Sequence, residues 1–253
     1  MFKKDAAEVV ADHFEEARKV ADTKMYVTYT GRYKGVEVTA VSTGSGSPEL
    51  ELAFTEFASL NKADTFIRIG CSGALQEHVR VGDLVISSGA VRDEGTSGEY
   101  ILKAYPAVAH YEVLLALIEA AERLQSKYHV GITRSNDSFW VGQGRTSRNY
   151  IQREHENIIE YWKRAGVLNI EREVSALLTL TSLLGLRGGA ICSVVNNRIT
   201  GELGVGAGVE NAIEVSLEAI KILQGWDAAK NTTGKKYFYP TLAKLSTTQS
   251  KPI

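Results

Sequence analysis

Cysteine is scarce: Cys71 and Cys192 are the only two in 253 residues. That argues against a disulfide framework and a thiolate metal site, and it points to a reducing compartment, the cytoplasm. A surplus of one charge is lacking too. Lys and Arg number 29 against 30 Asp and Glu, for a formal charge of -1, so the basic excess of a nucleic-acid binder is not there. No apolar run approaches the ~20 residues of a membrane span. The opening Met-Phe-Lys-Lys-Asp lacks the apolar centre of a signal peptide, so neither a membrane partner nor secretion is expected, and the sequons at Asn136 and Asn231 are read as chance. Internal repeats, zinc-ligand spacings, a nucleophile elbow, a Walker loop and the dinucleotide fingerprint are all missing. What is present, 44% hydrophobic and 23% charged residues, is an ordinary globular composition. The length suits one large α/β domain.

Helical and strand-like patterns alternate along the chain. Asp5 with Glu8 resembles a capping box and predicts a first helix from Ala6 to Val20. Tyr26–Tyr33 and Val36–Ser42 alternate about Lys34-Gly35 like a hairpin. Ser42 to Pro48 is a glycine-rich turn opening a helix to about Leu60, with Pro48 in its first turn. Thr65–Ile69 reads as a short strand that breaks at Gly70-Cys71-Ser72-Gly73, and Asp83–Ser88 reads as another. Val91–Ala107, with Gly95, Gly98 and Pro106, has no clean period and reads as a long functional loop. Helices are predicted over Tyr111–Gln125, Glu154–Ala165, Val174–Leu184 and Val209–Gln224, and strands over His129–Ser135 and Gly188–Val195. The expectation is a three-layer α/β/α domain over residues 1–226. A polar C-terminal extension, 227–253, would hang loose or dock on a neighbour.

The densest chemistry lies in Asn136–Arg145. Phe139 offers a ring face to a flat heterocycle. Gln143 both donates and accepts, while Arg145 donates from a planar fork, a pair suited to the edge of a lactam such as uracil. An exposed loop with two solvated polar side chains fits the same residues. Ligands of open α/β sheets gather at the carboxyl ends of strands, and three such ends stand out. Thr43-Gly44-Ser45-Gly46 precedes a helix whose N–H groups could face an anion or a ribose. Arg68 to Gly73 delivers an arginine, the Cys71 thiol and the Ser72 hydroxyl, and reads either as anion binding or as a buried ion pair. Asn196-Asn197-Arg198 adds amides and a cation. Glu171 and Glu173, flanking Arg172, would point one way if extended and could take the vicinal hydroxyls of a ribose; if helical they diverge. A solvated Glu-Arg-Glu cluster is the alternative.

Ser42-Thr-Gly-Ser-Gly-Ser-Pro48, Arg68-Ile-Gly-Cys-Ser-Gly-Ala-Leu-Gln76, Val81-Gly-Asp83, Phe139-x-x-Gly-Gln-x-Arg145 and Asn169-x-Glu-x-Glu173 fall in an order that resembles the nucleoside phosphorylases from about Ala7 to Leu223. The Phe/Gln/Arg motif resembles their uridine phosphorylase branch. The resemblance implies a central mixed sheet flanked by helices and a homo-oligomer, usually a hexamer of dimers with shared sites. It implies phosphorolysis of uridine in pyrimidine salvage, with inorganic phosphate as co-substrate and no cofactor or metal. By motif, Phe139 would stack on uracil, Gln143 and Arg145 would bond its edge, and Arg198 would stand nearby. Glu173, assisted by Glu171, would take the ribose hydroxyls. Arg68 would hold phosphate beside Cys71, with Ser72 and Gly73 lining the pocket.

The chain departs from the family at identifiable positions. It begins at the helix that follows the family's Gly-Asp-Pro-x-Arg phosphate turn, so a glycine nest, an arginine and a histidine lent to the neighbour are expected to be missing. Lys24 stands where the neighbour's arginine reaches phosphate, which loses the fork. Cys71 replaces a threonine, Arg172 a methionine under the ribose and Asn196 an apolar residue beside the base. Met25 and Glu49 occupy positions where the family binds a monovalent ion. Three expectations follow: a working uridine phosphorylase compensated by Lys3, Lys4, Lys24 and Arg172; a weak or inactive binder of nucleoside or base; or a nucleosidase using water.

Overall fold

The computed structural model describes residues 5–60 and 62–242. The chain opens with helix α1 (Ala6–Ala11), capped by the Asp5 carboxylate on the Ala7 N–H at 2.8 Å. The predicted continuation to Val20 is a strand instead. β1 (Glu15–Asp22), β2 (Val27–Tyr33) and β3 (Val36–Ser42) form a separate antiparallel sheet in that order. The helical spacing of Phe14 and Ala17 was a coincidence of composition, and pairing of Glu15–Asp22 with the hairpin decides the local structure.

The second sheet contains β4 (Thr65–Ala74), β5 (Leu84–Asp93), β6 (Ala107–Val108), β7 (Tyr128–Asn136), β8 (Asn169–Glu171) and β9 (Arg187–Asn197) in the order β6-β5-β7-β8-β4-β9. Parallel pairs β4–β9, β5–β7 and β7–β8 mix with antiparallel β4–β8 and β5–β6. β5 also pairs antiparallel with β9 over Leu84–Ile86, so the sheet curls back on itself. The helices are α2 (Ser47–Ser59), α3 (Thr96–Tyr100), α4 (Tyr111–Arg123), α5 (Ile158–Arg164), α6 (Val174–Leu183) and α7 (Val209–Thr233). Leu84, Ile86 and Ile191 of the sheet pack with Val113 and Leu117 of α4 and with Val215 and Leu223 of α7. Val174 and Leu178 of α6 pack with Ala190 and Cys192 of β9, and Leu177 and Leu180 pack with Leu50 and Phe54 of α2. The result is an α/β fold with a central mixed sheet between helices. Among the described residues no helix is long and apolar enough to cross a membrane.

Three further expectations are corrected. β4 does not break at Gly70, because Gly70, Cys71 and Ser72 each stay in register with β9. The long loop expected over 91–107 is in part regular structure, with α3 inside it. β5 continues to Asp93, and buried Arg92 then gathers the backbone oxygens of Ser97, Ile101, Leu102 and Tyr105 at 2.7 to 2.8 Å. Finally, the helix expected to end at Gln224 continues to Thr233, Trp226 stacks on Phe238 at 3.9 Å, and Leu242 is fully buried. Residues 243–253 of the polar tail lie outside the described residues, as do Lys3 and Lys4.

Candidate active site

β4 carries Arg68 into the interior, where its guanidinium donates to the Glu173 carboxylate, lies 3.3 Å from Glu171 and donates to Cys192 Sγ at 3.4 Å. The three-residue β8 ends at Glu171 and the chain then bends, with Glu173 at the N-terminus of α6, so both carboxylates reach the same cation. The ion-pair reading of Arg68 is therefore realised in the protein as it stands. Burial alone would weaken the Arg68 charge, but Glu173 and Glu171 more than offset it and hold the guanidinium protonated. Burial likewise pushes Glu173 up, and Arg68 with the Gly46 N–H outweighs it, leaving that carboxyl below its usual range. Burial prevails at Glu171, whose pKa rises to about 6. The Cys192 thiol, also buried, rises to about 12 and is a neutral thiol near pH 7.

The two acids differ in how they are spent. Glu171 accepts from Ser135 Oγ at 2.5 Å, from the Glu173 N–H at 2.7 Å and from the Val174 N–H at 3.0 Å. It fixes the bend and the start of α6 and has little acceptor capacity left. Glu173 accepts from Arg68 and, at 2.5 Å, from the Gly46 N–H. The glycine-rich turn is thus closed by carboxylates of the chain: Glu49 takes the Ser45 N–H at 2.5 Å and Glu173 the Gly46 N–H. Glu49 follows Ser45 by one helical turn, a signal in the sequence that local capping would use the turn's donors. Arg172 forms no ion pair with either neighbouring acid among the described residues. Its Nη1 donates to Ser45 Oγ at 2.9 Å, and its Nη2 lies 3.3 Å from where a Cβ on Gly46 would stand.

The loop 136–145 leaves β7 and is anchored from beneath. Arg134, almost wholly buried, pairs with Asp93 of the neighbouring strand at 2.9 Å and donates to the Gly142 carbonyl at 2.7 Å. Ser138 Oγ accepts the Gly142 N–H at 3.1 Å. On this base Gln143 is buried, Arg145 donates to its Oε1 at 2.6 Å, and the Arg145 guanidinium lies 4.2 Å over the Phe139 ring, itself half exposed. Arg198, from the end of β9, donates to the Gln143 carbonyl at 3.0 Å. Burial lowers the pKa of both Arg145 and Arg198, and at Arg145 the Arg198 charge adds to it. Two half-sunk positive charges therefore converge on Gln143, one of them over the Phe139 ring.

Gly73 joins the two halves. Asn196 pairs with it across β9, and a Cβ on Gly73 would stand 3.1 Å from the Asn196 amide oxygen and 3.4 Å from Arg198 Cγ. Ser72 accepts from Asn169 at 2.9 Å, and Thr133 donates to the Asn169 side-chain oxygen at 2.8 Å, a buried polar chain across β4, β8 and β7. Cys71 is exposed on β4, with Ser193 Oγ 3.6 Å from its sulfur. Lys24 is exposed in the turn between β1 and β2 and makes no ion pair among the described residues. The structure thus brings together Arg68, Glu171 and Glu173 in one group and Phe139, Gln143, Arg145 and Arg198 in another. Sequence reasoning missed the supports Arg134, Asp93, Ser135 and Glu49.

The chain matches a family model described as the phosphorylase superfamily over residues 3–225. It is 47% identical over 232 residues to a uridine phosphorylase of Thermococcus kodakarensis, covering 91% of this chain and 83% of that protein. Identity to a uridine phosphorylase of Escherichia coli is 35%, over 87% of this chain and 86% of that protein. A guanosine phosphorylase of Halorubrum lacusprofundi is also 35% identical, over 85% of this chain and 88% of that one.

Proposed function

The chain belongs to the phosphorylase superfamily, and on that premise we propose that it is a uridine phosphorylase, a pentosyltransferase that converts uridine and inorganic phosphate to uracil and ribose 1-phosphate. The observation that carries the uracil assignment is the convergence of Arg145 and Arg198 on Gln143, with the Arg145 guanidinium over the Phe139 ring. A phosphate oxygen attacks the anomeric carbon, the glycosidic bond breaks, and its electron pair leaves with the base. Negative charge then grows on the uracil ring. Guanidiniums already destabilised by burial bond an anionic ring more strongly than a neutral one, which lowers the barrier. Positive charge grows on the ribose, and Glu173, its pKa held below the usual range, is assigned to the ribose hydroxyls and to that charge. Glu171 assists by positioning Glu173 and Arg68.

No organic cofactor enters this reading, because phosphate supplies the nucleophile and the base leaves as an anion that solvent protonates. Lys24, directed outward from its own chain, is assigned to the phosphate of a neighbouring subunit, in a homo-oligomer working in the cytoplasm. The test is uracil release from uridine, followed by absorbance with and without phosphate. Release that requires phosphate supports the proposal. Phosphate-independent release would mark a nucleosidase, tight uracil binding without turnover an inactive binder, and preferential cleavage of guanosine a purine enzyme.

A further inference from the structure

Arg68 is a poor phosphate holder by itself. Its guanidinium is matched by two carboxylates, and a third, Glu49, caps the adjoining turn. The turn before α2 has two of its donors already spent, the Ser45 and Gly46 N–H groups being bonded to Glu49 and Glu173. Set against Arg68, those three acids leave a negative balance where a phosphate dianion has to bind.

Arg172 has the opposite character. It sits in sequence between Glu171 and Glu173 yet, among the described residues, pairs with neither. Of the five N–H groups of a guanidinium, the one bonded to protein goes to a neutral hydroxyl, Ser45 Oγ, while Nε is buried without a hydrogen-bond partner. A buried donor on a cation left in this state costs free energy unless an acceptor meets it. The residue is held at both ends: Ser47 Oγ donates to the Arg172 main-chain carbonyl at 2.7 Å, Ser45 accepts from the tip of the side chain, and Gly46 lies against Nη2 with no side chain to obstruct it. Gly46 also touches Glu173, the partner of Arg68, so the two guanidiniums flank one turn.

We infer that Arg172 is a second phosphate-binding cation of this chain, supplying in cis the donors that Arg68, engaged with Glu173 and Glu171, offers only in part. The inference rests on the phosphorolytic reading for its place in the reaction and on the turn's geometry for its chemistry. Phosphate would bridge Arg172 and Arg68, and the added cation offsets one of the three acids. Loss of a charge-assisted contact to phosphate corresponds to about tenfold or more in affinity.

The experiment compares wild type, Arg172→Met and Arg172→Lys by titration calorimetry with inorganic phosphate and, separately, with uracil, and by KM for phosphate in uridine cleavage. Arg172→Met is expected to weaken phosphate about tenfold or more, and Arg172→Lys is expected to recover part of the loss. Uracil affinity should change less than about twofold in either. Unchanged phosphate affinity in Arg172→Met overturns the inference, as does an equal loss for uracil, which would mark a merely structural residue. Should wild type cleave uridine without phosphate, the phosphorolytic reading falls. Calorimetry with phosphate still decides Arg172: binding that weakens in Arg172→Met keeps the anion site, and no binding by wild type removes it.

Discussion

Arg198 Nη2 donates to the main-chain carbonyl of Gln143 at 3.0 Å, tying the end of β9 to the loop that follows β7. Because the acceptor is backbone, Arg198 sets where the loop sits whatever residue occupies 143. Arg198→Ala should therefore raise the KM for uridine about tenfold and leave phosphate affinity within about twofold, a split that steady-state kinetics will show. Equal losses for both substrates would place Arg198 elsewhere in the mechanism.

Gln143 and Arg145 are joined at 2.6 Å, and Arg145 also bonds the Phe139 carbonyl at 2.7 Å. Removing either side chain leaves the other without its partner and takes away an edge contact to the base. Gln143→Ala and Arg145→Ala should each weaken uracil by about tenfold to a hundredfold, read by titration calorimetry. Because the residues act as a unit, the double variant should lose less than the product of the two. Undiminished affinity in either single variant would sink the base-pocket assignment.

Glu171 carries a stability signature that can be read against pH. Its carboxyl, raised from 4.5 to about 6 by burial, is above its unfolded value. Its contribution is therefore fully present below pH ~4.5 and is lost as pH rises through ~6, so ionisation costs the native state about 2 kcal/mol at pH 7. Glu171→Gln cannot ionise. In urea titrations the stability of Glu171→Gln relative to wild type should rise between pH 4 and pH 7 by up to about 2 kcal/mol. A flat difference would mean that the carboxyl titrates normally.

What could be read from the sequence, and what could not, divides by how local the cause is. The Lys34-Gly35 hairpin, the Pro48 start of α2 and the apolar stripe of α4 depend on neighbours in sequence and appear as expected. Gly70 to Gly73 looks like a break because glycine favours one, but pairing with β9 is a long-range cause that no local pattern records. The same holds for β1. Among site residues, Arg68, Gln143, Arg145 and the two acids were legible because their chemistry is unusual for their surroundings. Arg134 and Asp93 were not, since they meet only through the β5–β7 register. Phe238 and Leu242 were hidden by the polar residues around them.

The segment after α7 shows what that concealment costs. Trp226 stacks on Phe238 with planes 7° apart, and Glu112 accepts from the Phe238 N–H at 3.1 Å while paired with Lys230 at 2.8 Å. Phe238→Ala should destabilise the protein by about 3 kcal/mol, measured by urea unfolding. The Trp226 emission should shift to the red, with uracil affinity unchanged. No loss of stability would show that the segment packs without holding.

Gly70 provides the sharpest separation of the two halves of the site. A Cβ there would stand 1.7 Å from Arg68 Nη1 and 2.5 Å from its Cζ, because the arginine folds back along its own strand over the glycine. Gly70→Ala keeps Arg68, its charge and both acids, and changes only where the guanidinium can lie. The far end of an arginine is flexible, so the fold should tolerate the methyl group at a cost of about 1 to 3 kcal/mol. Arg68 would then leave its position between Glu173 and Glu171, uncoupling the acids from the cation that balances them. Phosphate KM should rise about tenfold and kcat should fall, while uracil affinity stays within about twofold, since Phe139, Gln143, Arg145 and Arg198 hang on β7 and β9. If Gly70→Ala instead weakens uracil and spares phosphate, Arg68 serves the base side, and the division of the site into an anion half and a base half is wrong.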